Sequence, residues 1–517
     1  MRRGTGPLGI GLGAIAAVAA VLLLLPLPVM AGLSGHATAA VGGKAGALNR
    51  VGHATDGLVR TTGVTATFGP IRTSEIVAAP SPAAPAGPSS ARLATAFAHP
   101  TSPQLLGSFT GENKTGAGSY VEPETQVAMN GSYVVEVVDF EIRVTSSTGA
   151  TVYSHTDTRT FLGTGSTDAI FGNQLLFDLI GHRWYYVAMD QTTNHVYIAV
   201  SKTGSPLGTY WIYSYVPSLS FLGTTQASYQ PLLGISGTKV TVSTDDYNTS
   251  TATFVASIMW FFDKHKITTG TLSGSGYYTG DFAVRPARDI SANGTAKDIS
   301  YLVSTVTPSS SSTLTEFEFV GSAVSLTSSA VSYAIASTGS GGGGVQPGTS
   351  SLLATGDDRV LSASWSNAGV LWLSFTVACI PAGDATSHAC VRVDAIGTAF
   401  NTLSQDTNTA VAGVDLEVGS LTATPGGGGY LMVLSGTSLA MYPEILVSGQ
   451  NTSDPFSTYR GPIPVFSSSS YDTSGHWGTY SGIQIQVVGS KNTAWGASEY
   501  ETTAGLWGTE VVHFAFY

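Results

Sequence analysis

Along residues 172–215 short apolar runs alternate with turn residues in a way that predicts strands. Leu175 to Leu179, Trp184 to Met189, His195 to Val200 and Thr209 to Tyr215 each have the length and the β-branched and aromatic content of a strand. Gly181-His182, Thr192-Thr193-Asn194 and Gly204-Ser205-Pro206-Leu207-Gly208 separate them, and all are turn formers. Val196 to Val200 is apolar without alternation, as a strand covered on both faces should be. Four such strands in about 45 residues have the size of one propeller blade.

The last turn recurs. Val200-Ser201 leads to Ser205-Pro206-Leu207-Gly208-Thr209-Tyr210, and Val447-Ser448 leads to Asp454-Pro455-Phe456-Ser457-Thr458-Tyr459. The spacing fits about four repeats of roughly 60 residues, somewhat above the usual blade period. From residue 104 onward the pattern divides into groups at 120–160, 172–216, 229–272, 281–330, 352–400, 410–466 and 478–517. An all-β propeller of seven four-stranded blades is expected. Six is the alternative, because 281–350 is rich in Ser and Gly and poorly punctuated. Gly341 to Gly344 and Gly426 to Gly429 read as flexible loop tips, and Leu105 to Phe109 as the strand that closes the ring against the last blade.

Composition narrows function. At 517 residues the chain exceeds a single core, which modular blades accommodate. Only 11% of residues are charged, and the net charge of −11 with 22 Lys plus Arg leaves no basic cluster after Arg3, so nucleic acid is not an expected partner.

Met1-Arg2-Arg3 followed by the apolar stretch Leu8 to Met30 is an export signal. It is either cleaved near Ala31 or Ala39 or kept as a membrane anchor, and both place the rest outside the cytoplasm. The expected organisation is a signal peptide or anchor at 1–40, an unassigned segment and Pro/Ala/Ser-rich linker at 41–103, and the propeller at 104–517. Secretion, or display on the outer face of the membrane, permits Cys379 and Cys390 to pair. It also makes Asn113, Asn130, Asn248, Asn293 and Asn451 candidate glycosylation sites in turns.

Several segments carry a resemblance. Pro123-Glu124-Thr125-Gln126-Val127-Ala128, Phe177-Asp178 with Arg183-Trp184, the Ser201 to Tyr210 turn, His476-Trp477-Gly478-Thr479-Tyr480-Ser481, Trp495 to Tyr500 and Trp507-Gly508-Thr509 resemble a family of secreted, largely uncharacterised bacterial and archaeal β-propellers. That family is related in fold to the sialidases. The resemblance implies a sialidase-like propeller and secretion, not a reaction. Two positions depart from the pattern: Thr479 replaces an acidic residue, and Thr203 replaces the Asp of the Ser-x-Asp-x-Gly-x-Thr-Trp box.

For chemistry the sequence offers a short inventory. Glu124, Gln126, Gln174, Gln230, Asp281 and Tyr480 at presumed inner-strand starts, with Trp477, would line an axial depression and bind a glycan or a surface protein. Glu499 and Tyr500 are the acid and phenol of a rival reading, a glycoside hydrolase, although neighbours in a strand point to opposite faces. Asp245 and Asp246, in a turn Ser243 to Asn248, are candidates for a structural calcium. Apart from that ion no cofactor is expected. Arg183 is read as a partner of Asp178, and Arg285 and Arg288, flanking Pro286, as a solvated loop.

Overall fold

Each sheet of this protein covers its neighbour, and its shape follows from that. The computed structural model describes residues 49–53, 102–115, 123–218, 226–291, 298–305, 311–475, 477, 480–488 and 491–516, and the statements below concern these residues. The expected signal segment, most of the linker and Asn293 lie outside them.

The second predicted unit is a four-stranded antiparallel sheet: Ile170–Asp178, Arg183–Asp190, His195–Ser201 and Tyr210–Tyr215. Four more sheets have the same plan. One spans 126–157, one begins with Arg285–Pro286 and ends with Ser325–Ala334, and one runs from Asp415–Ala423 to Arg460–Ser467. The fifth joins Gly482–Val488, Lys491–Thr503 and Leu506–Ala515 to Gln104–Asn113, which pairs antiparallel with the C-terminal strand. The remaining sheet has ten strands. Within it two antiparallel runs of four, 226–279 and 362–409, are bridged by the two residues Arg288–Asp289, and the backbone of Asn49–His53 pairs at its edge.

The first strands pack side by side in sequence order, and Gly482–Val488 returns to Gln126–Met129, so the sheets form a closed β-propeller. Apolar clusters fill the gaps between successive sheets. Phe161, Tyr186 and Tyr210 lie in one gap, and Phe261, Tyr277 and Phe319 in another, their rings meeting edge-on or tilted. Burying both faces of every sheet explains the unalternated runs read from the sequence.

One local device recurs at the start of the first strand of several sheets. Glu124, Gly172, Gln230, Ala283 and Val418 all have left-handed backbone, with φ of 45°, 67°, 51°, 50° and 50°. The pairing register shifts at three of these points, between Phe171 and Gln174, Tyr229 and Leu232, and Glu417 and Ser420. A bulge of this kind turns the following side chains out of the regular alternation. Leu232, two residues after Gln230, packs in one buried cluster with Leu361 and Tyr480, which come from other parts of the ring.

Other details correct the sequence reading. Ser243–Asn248 belongs to the strand Lys239–Asn248, not to a turn, because Val240 and Val242 pack inward and carry the strand through. Asp178 pairs at 3.0 Å with Lys264, the first residue of the five-residue helix α1 (Lys264–Thr268), whereas Arg183 donates to the carbonyls of Gly181 and His182. Each of the two glycine runs holds tightly packed positions, although Gly342 has open space around it. A Cβ on Gly344 would lie 2.6 Å from Thr437, and one on Gly429 would lie 2.2 Å from the Gln450 carbonyl. Cys379 and Cys390 form a disulfide. The Asn130 side-chain nitrogen, a candidate glycan acceptor, donates to the Gly204 carbonyl at 2.8 Å.

Candidate anion-binding site at the axial mouth

The first strands run from one end of the axis, near Glu124, Gly172 and Gln230, to the other, near Asp178 and Ile235. At the starting end, the mouth, Arg285 and Arg359 lie about Tyr480, and Arg288 lies deeper along the axis beside Arg285. Arg359 is held by Asp357 through two charge-assisted bonds, Nε to Oδ1 at 2.6 Å and Nη2 to Oδ2 at 2.5 Å. It also donates to Gln230 Oε1, and it lies over the Phe282 ring at 5.1 Å. Burial works against its charge, but the Asp357 carboxylate more than offsets this and holds the Arg359 pKa above its ordinary value.

Arg285 and Arg288 have no such partner. Arg285 is 3% exposed, lies over the Tyr480 ring at 5.7 Å, and its Nη1 meets no acceptor. Arg288 crosses the axis to donate to the Ile483 carbonyl at 3.0 Å and Gln126 Oε1 at 3.1 Å, both neutral. Burial pushes Arg285 down to about 10 and Arg288 down to about 9, the proximity of Arg285 adding to the second shift. Both remain cationic at neutral pH. The Tyr480 hydroxyl is buried without a partner, and burial raises its pKa to about 12 although Arg359 and Arg285 pull it down.

Carboxylates flank this group. Glu124 accepts the Gly172 N–H at 2.6 Å. Asp245 accepts from the Ser257 hydroxyl at 2.5 Å and the Ala283 N–H at 3.2 Å, and burial lifts it to about 6. Below Arg288 the channel is lined by Leu176, Phe177, Ile235, Leu421 and Ile483, and the space left is about 10 Å3, the size of one water. The axis is therefore a polar mouth over an apolar plug.

Of the residues chosen from sequence, Glu124, Gln126, Gln230 and Tyr480 meet here. Gln174 occupies the same place in its sheet as Gln126, with the same bond from its side-chain nitrogen to the preceding carbonyl. Others do not reach the mouth. Trp477 is buried against Leu353 and Val418 and donates to Ser435 Oγ. Asp281 turns toward Thr315 on the third strand of its sheet, and burial lifts it to about 6. Glu499 and Tyr500 lie on a second strand, where Tyr500 packs on Phe466 at 4.5 Å and faces away from its neighbour. Asp245 and Asp246 likewise point to opposite sides of one strand, Asp246 accepting from Ser228. Among the described residues no three His, Cys, Asp or Glu side chains are grouped to hold a metal.

The arginines are what sequence reasoning set aside. Arg-Pro-Ala-Arg in a chain with so few cations was the available signal. Nothing in it says that Arg285 is buried.

No protein-family model matches the chain, and no curated protein matches it in sequence. Solved structures match it at low similarity. A Trypanosoma rangeli sialidase in complex with sialic acid shares 8% identity at a TM-score of 0.31, over 64% of this chain and 44% of the sialidase. A hypothetical selenium-binding protein from Sulfolobus tokodaii shares 8% at 0.36, over 64% and 76%. A thermostable family-43 glycoside hydrolase shares 11% at 0.31, over 68% and 92%. This chain thus spans less than half the length of that sialidase. Likenesses this shallow carry no argument about chemistry, and the propeller reading rests on the sheet topology.

Proposed function

We propose that this protein is an extracellular binding module whose axial mouth takes an acidic glycan without turning it over. The observation that carries the reading is Arg285, a buried guanidinium with no carboxylate partner and an Nη1 with no acceptor. A buried cation left uncompensated costs several kcal/mol, and a ligand carboxylate or sulfate removes that penalty on binding. The two antiparallel runs of the ten-stranded sheet count as separate blades in this reading, which makes seven. The export segment and the Cys379–Cys390 disulfide support an extracellular setting.

Hydrolysis is the second reading, and one observation favours it. Tyr480, with Arg285 and Arg359 beside it and Glu124 nearby, supplies a phenol and a carboxylate at the mouth. Its raised pKa argues against an activated nucleophile. Titrating the full chain with oligogalacturonate by calorimetry, and following the mixture by NMR overnight, separates the two. Saturable binding with unchanged sugar resonances is expected. New reducing ends that vanish in Tyr480→Phe would establish the hydrolase, and no binding to acidic or neutral oligosaccharides would end the glycan reading.

A further inference from the structure

At the end of the ring opposite the mouth, residues of the 180–183 turn, the 237–238 turn and the 263–268 segment, with Asp298 and Ser322-Ala323, line an open cavity of about 510 Å3. This is within the size range of small-ligand sites. Most charges around it are matched: Lys239 pairs with Asp298 at 2.8 Å and Lys264 with Asp178 at 3.0 Å. Two lining charges are not. Arg183 spends Nη1 on the Gly181 and His182 carbonyls, and its buried Nε meets no acceptor. Asp263 caps α1 by accepting the Lys266 N–H through Oδ1 at 2.9 Å, and among the described residues no cation is bonded to it. Although both face one cavity, Arg183 and Asp263 form no ion pair with each other. Beside Arg183, Tyr185 is fully buried, and its hydroxyl has no partner.

Unmatched charges of opposite sign on one cavity fit a ligand that carries both. We infer that this cavity binds a small zwitterion, a free amino acid or a short peptide, with its carboxylate on Arg183 and Tyr185 and its ammonium on Asp263. The site shares no residue with the mouth and does not depend on the glycan reading. A neutral sugar would leave both charges unmatched, and a simple anion would leave Asp263 uncompensated next to it.

The test is a calorimetric titration of the full chain with L-alanyl-L-alanine, using N-acetyl-L-alanyl-L-alanine and L-alanyl-L-alaninamide as analogues lacking one charge each. The free dipeptide is expected to bind, and each blocked analogue to bind about tenfold more weakly. Arg183→Met and Asp263→Asn should each weaken the dipeptide by a similar factor. Asn keeps the helix cap while removing the charge, so that variant stays folded. Tyr185→Phe should cost several-fold, and Arg285→Met at the mouth should change nothing. Equal binding of free and blocked dipeptides would overturn the assignment, as would binding that survives Asp263→Asn, or no heat at ~10 mM dipeptide, a concentration that would detect even millimolar affinity.

Discussion

Charge is buried in two regions of this ring in opposite senses. At the seam where the two ends of the propeller meet, the buried groups are carboxylates and the protein answers them. Glu136 accepts from the Glu112 N–H at 3.1 Å and the Thr509 hydroxyl at 2.5 Å, and Glu112 faces His155 at 3.3 Å and Arg143 at 3.8 Å. At the mouth Arg285 is buried and Arg288 partly so, and neither is bonded to a carboxylate, although Glu124 and Asp245 flank the group. A buried charge satisfied from within serves the fold, whereas one left open is a cost that a ligand repays. By this criterion the seam is structural, and the mouth is where the proposed ligand would act.

The largest effect should come from the seam. Deleting residues 104–113 removes the fourth strand from the last sheet and leaves the Leu506–Ala515 edge unpaired. Loss of the cooperative thermal transition is expected, and calorimetry showing an unchanged melting temperature would deny the seam its role. At the mouth, Arg285→Met should lower affinity for oligogalacturonate by roughly 10- to 100-fold. Stability should hold or rise, because an uncompensated buried cation is gone. A melting temperature lowered by several degrees would instead make Arg285 structural.

The pH dependence sharpens the contrast. Burial, with Glu112 next to it, raises Glu136 from 4.5 to about 7, and burial raises Glu510 to about 7. Their folded pKa values exceed the unfolded ones, so the folded state binds more protons between pH 4.5 and 7. Stability contributed by these groups is therefore present at low pH and is lost as pH rises through that window, by up to roughly 1.4 kcal/mol per unit for each group. Chemical denaturation of Glu136→Gln should show a shallower slope; an identical slope would exclude Glu136 as its source. Smallest of all, Tyr480→Phe should weaken glycan binding only a few-fold, since it removes one neutral hydroxyl.

Legibility in the sequence follows the same divide. The 170–215 sheet was readable because its strands are long, apolar and separated by Gly, Asn and Pro turns. The Arg285–Pro286 strand, only two residues long, was not, and with it went the burial of Arg285. Glu124, Gln126, Gln230 and Tyr480 were found because polar residues stood at strand starts. Asp281 met the same criterion but turns toward Thr315, and Trp477, chosen as an aromatic for stacking, is buried against Leu353 and Val418. At a bulge, side-chain direction is decided by a left-handed residue that need not be glycine. Val418 and Gln230 show this, and neither advertises it.

A crystal structure of the full chain grown with oligogalacturonate tests the central claim most directly. The account predicts a sugar carboxylate within hydrogen-bond distance of Arg285 Nη1, with the Tyr480 hydroxyl as a second donor and the glycosidic bonds intact. An Arg285 side chain satisfied by one of the protein's own carboxylates, with the glycan bound elsewhere, would contradict it.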